Sequence, residues 1–267
     1  MAKPVRSSEL FRLDGQVAFL SGAAGHLGRE MALALGEAGA SLILNGRNEA
    51  RLRAFAKELN RGGIACECAV FDMMDLPAVR GFFSELRSLD ILINNAVTMA
   101  PKGFEAVSPE DFEATYRSSV GAAFEAARAA RPALLCAAQE RGDASVINIA
   151  TMYASVAPDP KLYSEAGQMS PPHYGAAKAG LIQLTRHLAA EFGSQNIRVN
   201  ALSPGPFPRA EVADKDPAFA SRLAQRTMLG RTGRAEEVRG PIVFLASRAS
   251  SFVTGSTLIA DGGWTAW

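Results

Sequence analysis

Residues 17–28, VAFLSGAAGHLG, pass from a short apolar run through a glycine-rich turn into a segment with Leu27, Met31 and Leu35 at helical spacing. An apolar run that ends on glycines and gives way to a 3.6-residue period reads as strand, turn and helix. Glycines there permit a tight turn and a close backbone approach, and the helix that follows presents its unpaired N–H groups to whatever lies above the turn. The spacing of Gly22, Gly25 and Gly28 departs from G-x-G-x-x-G, so the turn by itself fits a phosphate cradle and an ordinary βα connection alike.

The same rhythm continues along the chain. Short apolar runs recur at 41–45 (SLILN), 64–70 (IACECAV), 90–95 (DILINN), 144–150 (ASVINIA), 197–202 (IRVNAL) and 256–260 (STLIA), with helical patterns between them. This is the βαβα order of a parallel sheet covered on both faces, and the runs are apolar almost throughout, as strands buried on two sides require. The expected fold class is therefore α/β: a doubly wound Rossmann fold whose seven-stranded parallel sheet carries helices on both faces. Ser108-Pro109-Glu110-Asp111 and Ser170-Pro171-Pro172 mark helix starts. Nothing divides the chain, so residues 11–267 are expected to form one domain behind an N-terminal extension, 1–10. Two loops rich in Pro, Gly and charge, 156–172 and 203–217, follow strands and so are placed to border a site at the sheet's carboxyl edge.

Composition narrows the function. The 267 residues are 48% hydrophobic and 21% charged, enough for a substantial core, and a net charge of +1 supplies no field to gather nucleic acid or an anionic membrane. No apolar stretch approaches a membrane span and the first residues lack a secretory pattern, so a cytoplasmic protein is expected. Cys66, Cys68 and Cys136 are read as reduced packing residues, and three scattered histidines (His26, His173, His187) give no metal pattern.

In order along the chain, SGAAGHLG (21–28), Asp72 in FDMMD, NNAV (94–97), Tyr174-Gly-Ala-Ala-Lys178, VNALSPG (199–205) and FLASRASSFVTGSTLIADGG (244–263) resemble the short-chain dehydrogenases/reductases. They stand for that family's T-G-x-x-x-G-x-G, N-N-A-G and Y-x-x-x-K motifs, over roughly residues 11–263. The tone of NGRN, FDMMD and the C-terminal stretch is similar to the sugar-acid and polyol branch, the gluconate 5-dehydrogenase-like proteins. The resemblance implies an oxidoreductase that interconverts a secondary alcohol and a ketone on a small polar substrate: a sugar acid, polyol or keto acid. It places Gly22, Ala24, Gly25, His26, Leu27 and Gly28 against the cofactor phosphates, Asp72 and Met73 at the adenine, Asn95 and Ala96 beside a ribose, and Pro204, Gly205 and Phe207 around the nicotinamide. It also implies a homo-oligomer, a tetramer formed through the helices near 109–139 and 172–193 and the C-terminal segment, with Trp264 and Trp267 buried there.

The second strand ends in LILNGRN without an acidic residue to hold a free ribose, and Arg47 can clamp a 2′-phosphate, so NADP(H) is the expected cofactor with NAD(H) possible. Reduction of a ketone needs a proton donor at the developing alkoxide. Tyr174 and Lys178, four residues apart on a helix, share a face, and an ammonium there can favour the phenolate. The resemblance assigns Thr151 to polarise the substrate oxygen and Ser119 to a water in the lysine's proton relay; both replace the family's usual residues, a serine and an asparagine. His26, Val97 and Arg209 also depart from its pattern. Twenty-three residues separate Thr151 from Tyr174, more than most relatives need, which predicts a mobile wall of the substrate pocket at 157–170. Arg209, His173, Tyr163 and Gln168 are the candidates for polar contacts with substrate. Two other classes compete: a dehydrogenase-fold nucleotide-binding or regulatory protein with little turnover, and a methyltransferase, which would account for the glycine turn but not for Tyr174, Lys178 and VNALSPG together.

Overall fold

Seven parallel strands form one sheet: β1 (Val17–Leu20), β2 (Ser41–Asn45), β3 (Cys66–Ala69), β4 (Ile91–Asn94), β5 (Ala144–Ile149), β6 (Ile197–Pro204) and β7 (Thr257–Ala260). Their order across the sheet is β3-β2-β1-β4-β5-β6-β7. The computed structural model describes residues 6–99, 101–164 and 169–267. Among these the helices are α1 (His26–Glu37), α2 (Glu49–Arg61), α3 (Leu76–Ser84), α4 (Pro109–Tyr116), α5 (Ala122–Arg141), α6 (Pro172–Phe192), α7 (Ala210–Lys215), α8 (Pro217–Gln225) and α9 (Arg239–Ala246).

Alternation along each strand divides the core. Ala18, Leu20, Leu42, Leu44, Ile91 and Ile93 face α1, α2 and α9, whereas Phe19, Ile43, Leu92 and Val146 face α3, α5 and α6. Burying both faces leaves little polar surface in the central strands, and β4, β5 and β6 are buried at every position. The edges differ from the expected unbroken burial. In β3 Glu67 is exposed and in β7 Ile259 is exposed, because an edge strand is covered by fewer neighbours. Cys66 and Cys68 pack on the same apolar cluster, with Cys66 Sγ against the Ala56 carbonyl, and burial pushes both thiols up.

Helix starts follow their local chemistry. Ser108 and Asp111 cap α4 reciprocally with Pro109 in its first turn. In α6 the cap position falls on Pro171 and not on Ser170, and two consecutive prolines preset the entry into the helix. Trp264 is buried within its own chain beside Met152, Leu162 and Leu223, so it owes its burial to no second copy, while Trp267 is 63% exposed in the single chain. The direction of growth along the sheet reverses between β1 and β4, and the crevice above their carboxyl ends is where such sheets hold ligands.

Candidate active site

A cleft of about 540 Å³ runs across that crevice, from the ends of β2 and β3 past the β1–α1 turn to the ends of β5 and β6. It is lined by every residue that the sequence placed at the cofactor or the reacting centre, except Ser119. The β1–α1 turn is built by close contact: a Cβ on Gly28 would lie 2.3 Å from the Gly22 carbonyl oxygen, so the first turn of α1 rests directly on the loop. Gly25 caps α1 and His26 is its first residue, so a side chain is admitted where the resemblance has glycine. The His26 ring uses it, donating from Nε2 to the Phe207 carbonyl at 3.1 Å and bridging two walls of the cleft. The Ser21 hydroxyl accepts from the backbone N–H groups of Asn95 and Ala96, and the Asn95 amide donates to the carbonyls of Ser21 and Gly22. Ser21, not singled out in the sequence, thus stitches β1 to β4.

At the far left of the cleft Arg47 lies 3.5 Å from Asp72, both partly exposed, and Asp72 also accepts from the Met74 N–H. Met73 borders the same end. Arg51 joins them from the first turn of α2, whose cap Asn48 accepts its N–H. Its guanidinium makes no ion pair or hydrogen bond among the described residues. The sequence signal was available, since Arg51 follows Arg47 by four. Asp72 is the sole acidic residue among the described residues lining the cleft.

At the opposite end Thr151 follows β5 and accepts from the Tyr153 N–H at the start of a short turn, Met152–Ala154. A Cβ on Gly175 would lie 2.8 Å from the Tyr153 carbonyl, so the glycine after Tyr174 lets α6 press onto this turn and carries Tyr174 to Thr151. Burial raises the Tyr174 phenol above its ordinary value, and the adjacent Thr151 hydroxyl opposes that rise. Lys178 is 2% exposed, donates from Nζ to the Ile149 carbonyl at 2.6 Å, and is lowered by burial to about 8. Burial thus sets the direction at the phenol, and the Lys178 ammonium, with three N–H donors, gives one of them to the Ile149 carbonyl. No side-chain motif could have revealed Ile149, which acts through its backbone.

Ser119 lies behind the cleft in a π-helical turn, Arg117–Gly121, buried, with its hydroxyl unpaired among the described residues. The cleft is lined instead by Ser118, whose hydroxyl donates to the Thr98 carbonyl at 3.0 Å. Of the candidate substrate contacts, Arg209 borders the cleft beside Pro204, Gly205 and Phe207. His173 does not: it is fully buried and pairs with Thr115 at 2.9 Å, since adjacent residues on a helix point about 100° apart. Tyr163 is bonded to the Tyr153 hydroxyl at 2.9 Å, and Gln168 lies outside the described residues. The expected mobile wall is anchored over its described part. Leu162 is buried, and its carbonyl accepts from Arg222 of α8 at 2.6 Å. Among the described residues no group of three or more His, Cys, Asp or Glu is placed to hold a metal ion, and no helix is long and apolar enough to cross a membrane.

Residues 22–265 match the family model described as Enoyl-(Acyl carrier protein) reductase. The chain is 33% identical over 264 residues to the gluconate 5-dehydrogenase of Gluconobacter oxydans (strain 621H), covering 96% of this chain and 97% of the relative. It is 34% identical to the galactitol 2-dehydrogenase (L-tagatose-forming) of Cereibacter sphaeroides, covering 97% and 98%. Among solved structures, a gluconate 5-dehydrogenase from Burkholderia cenocepacia J2315 in complex with NADP and tartrate superposes with a TM-score of 0.86 at 32% identity, covering 98% of this chain and all of that one. Relatives of this kind act on CH–OH groups, and with the parallel sheet and its cleft they establish that the chain belongs to the short-chain dehydrogenase/reductase family, an oxidoreductase family.

Proposed function

We propose that the chain is an NADP(H)-preferring oxidoreductase that interconverts a secondary alcohol and a ketone on a small polar substrate, with NAD(H) a poorer cofactor. The observation that carries this reading is one cleft with two ends: Thr151, Tyr174 and Lys178 at one, Arg47 and Arg51 at the other. The cleft suits the dinucleotide. The N-terminus of α1 opens onto it with unpaired N–H groups suited to a pyrophosphate, and the close contact at Gly28 leaves that backbone bare. The two guanidiniums suit a 2′-phosphate, and the gluconate 5-dehydrogenase of known structure was solved with NADP. Its tartrate, and the sugar-acid and polyol activities of the relatives, support a hydroxylated substrate here.

When bound, a nicotinamide cofactor would supply or accept the hydride. Tyr174 donates its phenolic proton to the oxygen that becomes the alcohol, and takes it back in the oxidative direction. Thr151 holds that oxygen with its hydroxyl. Lys178, braced on the Ile149 carbonyl, sets the local positive charge and meets the nicotinamide-side ribose. The unpaired hydroxyl of Ser119 suits a buried water serving the lysine's proton relay. Asp72 and Met73 would hold the adenine, Asn95 and Ala96 the ribose, and Pro204, Gly205 and Phe207 the nicotinamide. Residues 11–267 act as one catalytic domain in a cytoplasmic protein.

The test is a spectrophotometric screen of sugar acids, polyols and their keto forms with NADPH and NADH. Turnover with a kcat/KM at least tenfold higher for NADPH is expected, and Arg47→Asp with Arg51→Ala should reverse that preference by placing a carboxylate where the phosphate sits. Equal use of both cofactors by the unaltered protein removes the role given to the arginines. Tight NADPH binding without turnover on any member would favour a nucleotide-binding protein instead.

A further inference from the structure

Arg209 stands at the end of PGPFPR, residues 204–209, and its backbone is fixed from several sides. Three prolines restrict the segment, the Pro206 carbonyl accepts from the Gly233 N–H at 2.9 Å, and the Phe207 carbonyl accepts from His26. The Phe207 ring sits so close on Gly233 that a Cβ there would lie 2.5 Å away. A rigid strut thus carries an arginine to the mouth of the cleft. Its guanidinium is exposed and makes no ion pair or hydrogen bond among the described residues.

The charge at that end is one-sided. Val97, Thr98, Thr151, Tyr174, Lys178 and Arg209 line it without a carboxylate, and Asp72 lies at the other end beside Arg47. Of the two cations, Lys178 is buried and braced on the Ile149 carbonyl. Arg209 is permanently charged, reaches solvent, and presents a planar fork that matches two carboxylate oxygens at once. A neutral polyol leaves this fork with hydroxyls alone, which a guanidinium distinguishes poorly from water.

Resting on the alcohol–ketone reading above, we infer that Arg209 binds a carboxylate of the substrate, so that the carbonyl reduced beside Tyr174 and Thr151 belongs to a keto acid and not to a neutral ketose. The arginine is then a specificity-determining residue, remote from proton transfer.

The experiment compares 5-keto-D-gluconate with L-tagatose as oxidants of NADPH, in the unaltered enzyme, Arg209→Gln and Arg209→Lys. Loss of a charged hydrogen-bonding partner should lower the keto-acid over ketose ratio of kcat/KM by roughly 10- to 150-fold in the glutamine variant, mainly through KM. Lysine should restore part of it, since the charge returns without the fork. The NADPH Kd, read by fluorescence titration, should change less than about threefold. An unmoved ratio, or an NADPH Kd that rises in step with KM, overturns the assignment; the second result would give Arg209 to the cofactor. If the unaltered enzyme reduces neither ketone, the alcohol–ketone reading fails for these substrates. Calorimetric binding of 5-keto-D-gluconate to the NADP⁺-loaded protein then decides Arg209 separately: binding lost in Arg209→Gln upholds it, and no binding to the unaltered protein overturns it.

Discussion

Tyr174 carries opposed influences that its sequence position does not disclose. Burial favours the neutral phenol and the Thr151 hydroxyl favours the phenolate, while the Lys178 ammonium is held by the Ile149 carbonyl. Tyr174→Phe keeps the ring and deletes the donor; turnover should fall by ~10²–10⁴, with the NADPH Kd held, as steady-state rates and fluorescence titration would show. Near-normal turnover with an established substrate would remove Tyr174 from the reacting centre. Lys178 offers a test through stability. Its folded value of about 8 lies below the ordinary 10.5, so between them the unfolded chain holds the extra proton and stability rises with pH through that window. Below about 8 the full cost of burying the ammonium is present. Against Lys178→Met, the unaltered protein should therefore gain in urea unfolding free energy as pH is raised from about 8 toward 10.5, and a constant difference would contradict the burial. Tyr174 and Lys178 could be paired in the sequence because they stand four apart on one helix, Thr151 was placed by resemblance, and all three line one cleft. Ile149 was not legible, because it acts through its carbonyl, and His173 misled because its neighbour on the helix faces the cleft and it does not.

The element most altered by the three-dimensional reading is the stretch between β5 and α6. Its length suggested a mobile wall, but length cannot show whether a loop finds apolar partners. Here it does: Leu162 is buried with Met152, Leu223 and Trp264, Tyr163 stacks near Phe219, and Arg222 grips the Leu162 carbonyl. The Tyr153 phenol, half-buried and bonded to Tyr163, is pushed up by loss of solvent. Residues 160–164 and α8 are thus joined, and one cannot shift without disturbing the other. Leu162→Ala should cost about 2–3 kcal/mol in urea unfolding, near the lower end for a leucine because the cluster is small and peripheral. A cost under about 0.5 kcal/mol would restore the mobile reading, since surface substitutions fall in that range. The strands were more legible. A buried central strand has to be apolar throughout, so VAFL, ILIN and ASVINI announce themselves, while the edges β3 and β7 tolerate Glu67 and an exposed Ile259 and blur their own limits.

For the whole molecule, two apolar surfaces remain uncovered in the single chain. One follows α4 into α5, where Phe112, Tyr116 and Phe124 are 41%, 53% and 42% exposed; the other is carried by the C-terminal stretch of sequence, where Phe252, Ile259 and Trp267 are exposed, Phe252 wholly. None of the six lines the cleft. Exposed aromatics call for a covering surface and, in keeping with what the family resemblance implies, we propose that a second copy of the same chain covers each set by a two-fold axis. Two independent two-fold interfaces generate a tetramer with dihedral symmetry, and a net charge of +1 offers little repulsion against it. This association was out of reach of periodicity, which marks Phe112 and Phe124 as apolar without saying which molecule buries them. We propose the tetramer on these surfaces, and light scattering at micromolar concentration should return the mass of four 28.2 kDa chains. Charging one patch with Phe112→Glu and Phe124→Glu should leave dimers joined through the other, and charging Phe252 and Trp267 instead should leave dimers joined through the first. Only the combination should give monomers. A monomeric unaltered protein, or a tetramer indifferent to both pairs of substitutions, would show that these surfaces are covered by something other than this chain, or by nothing.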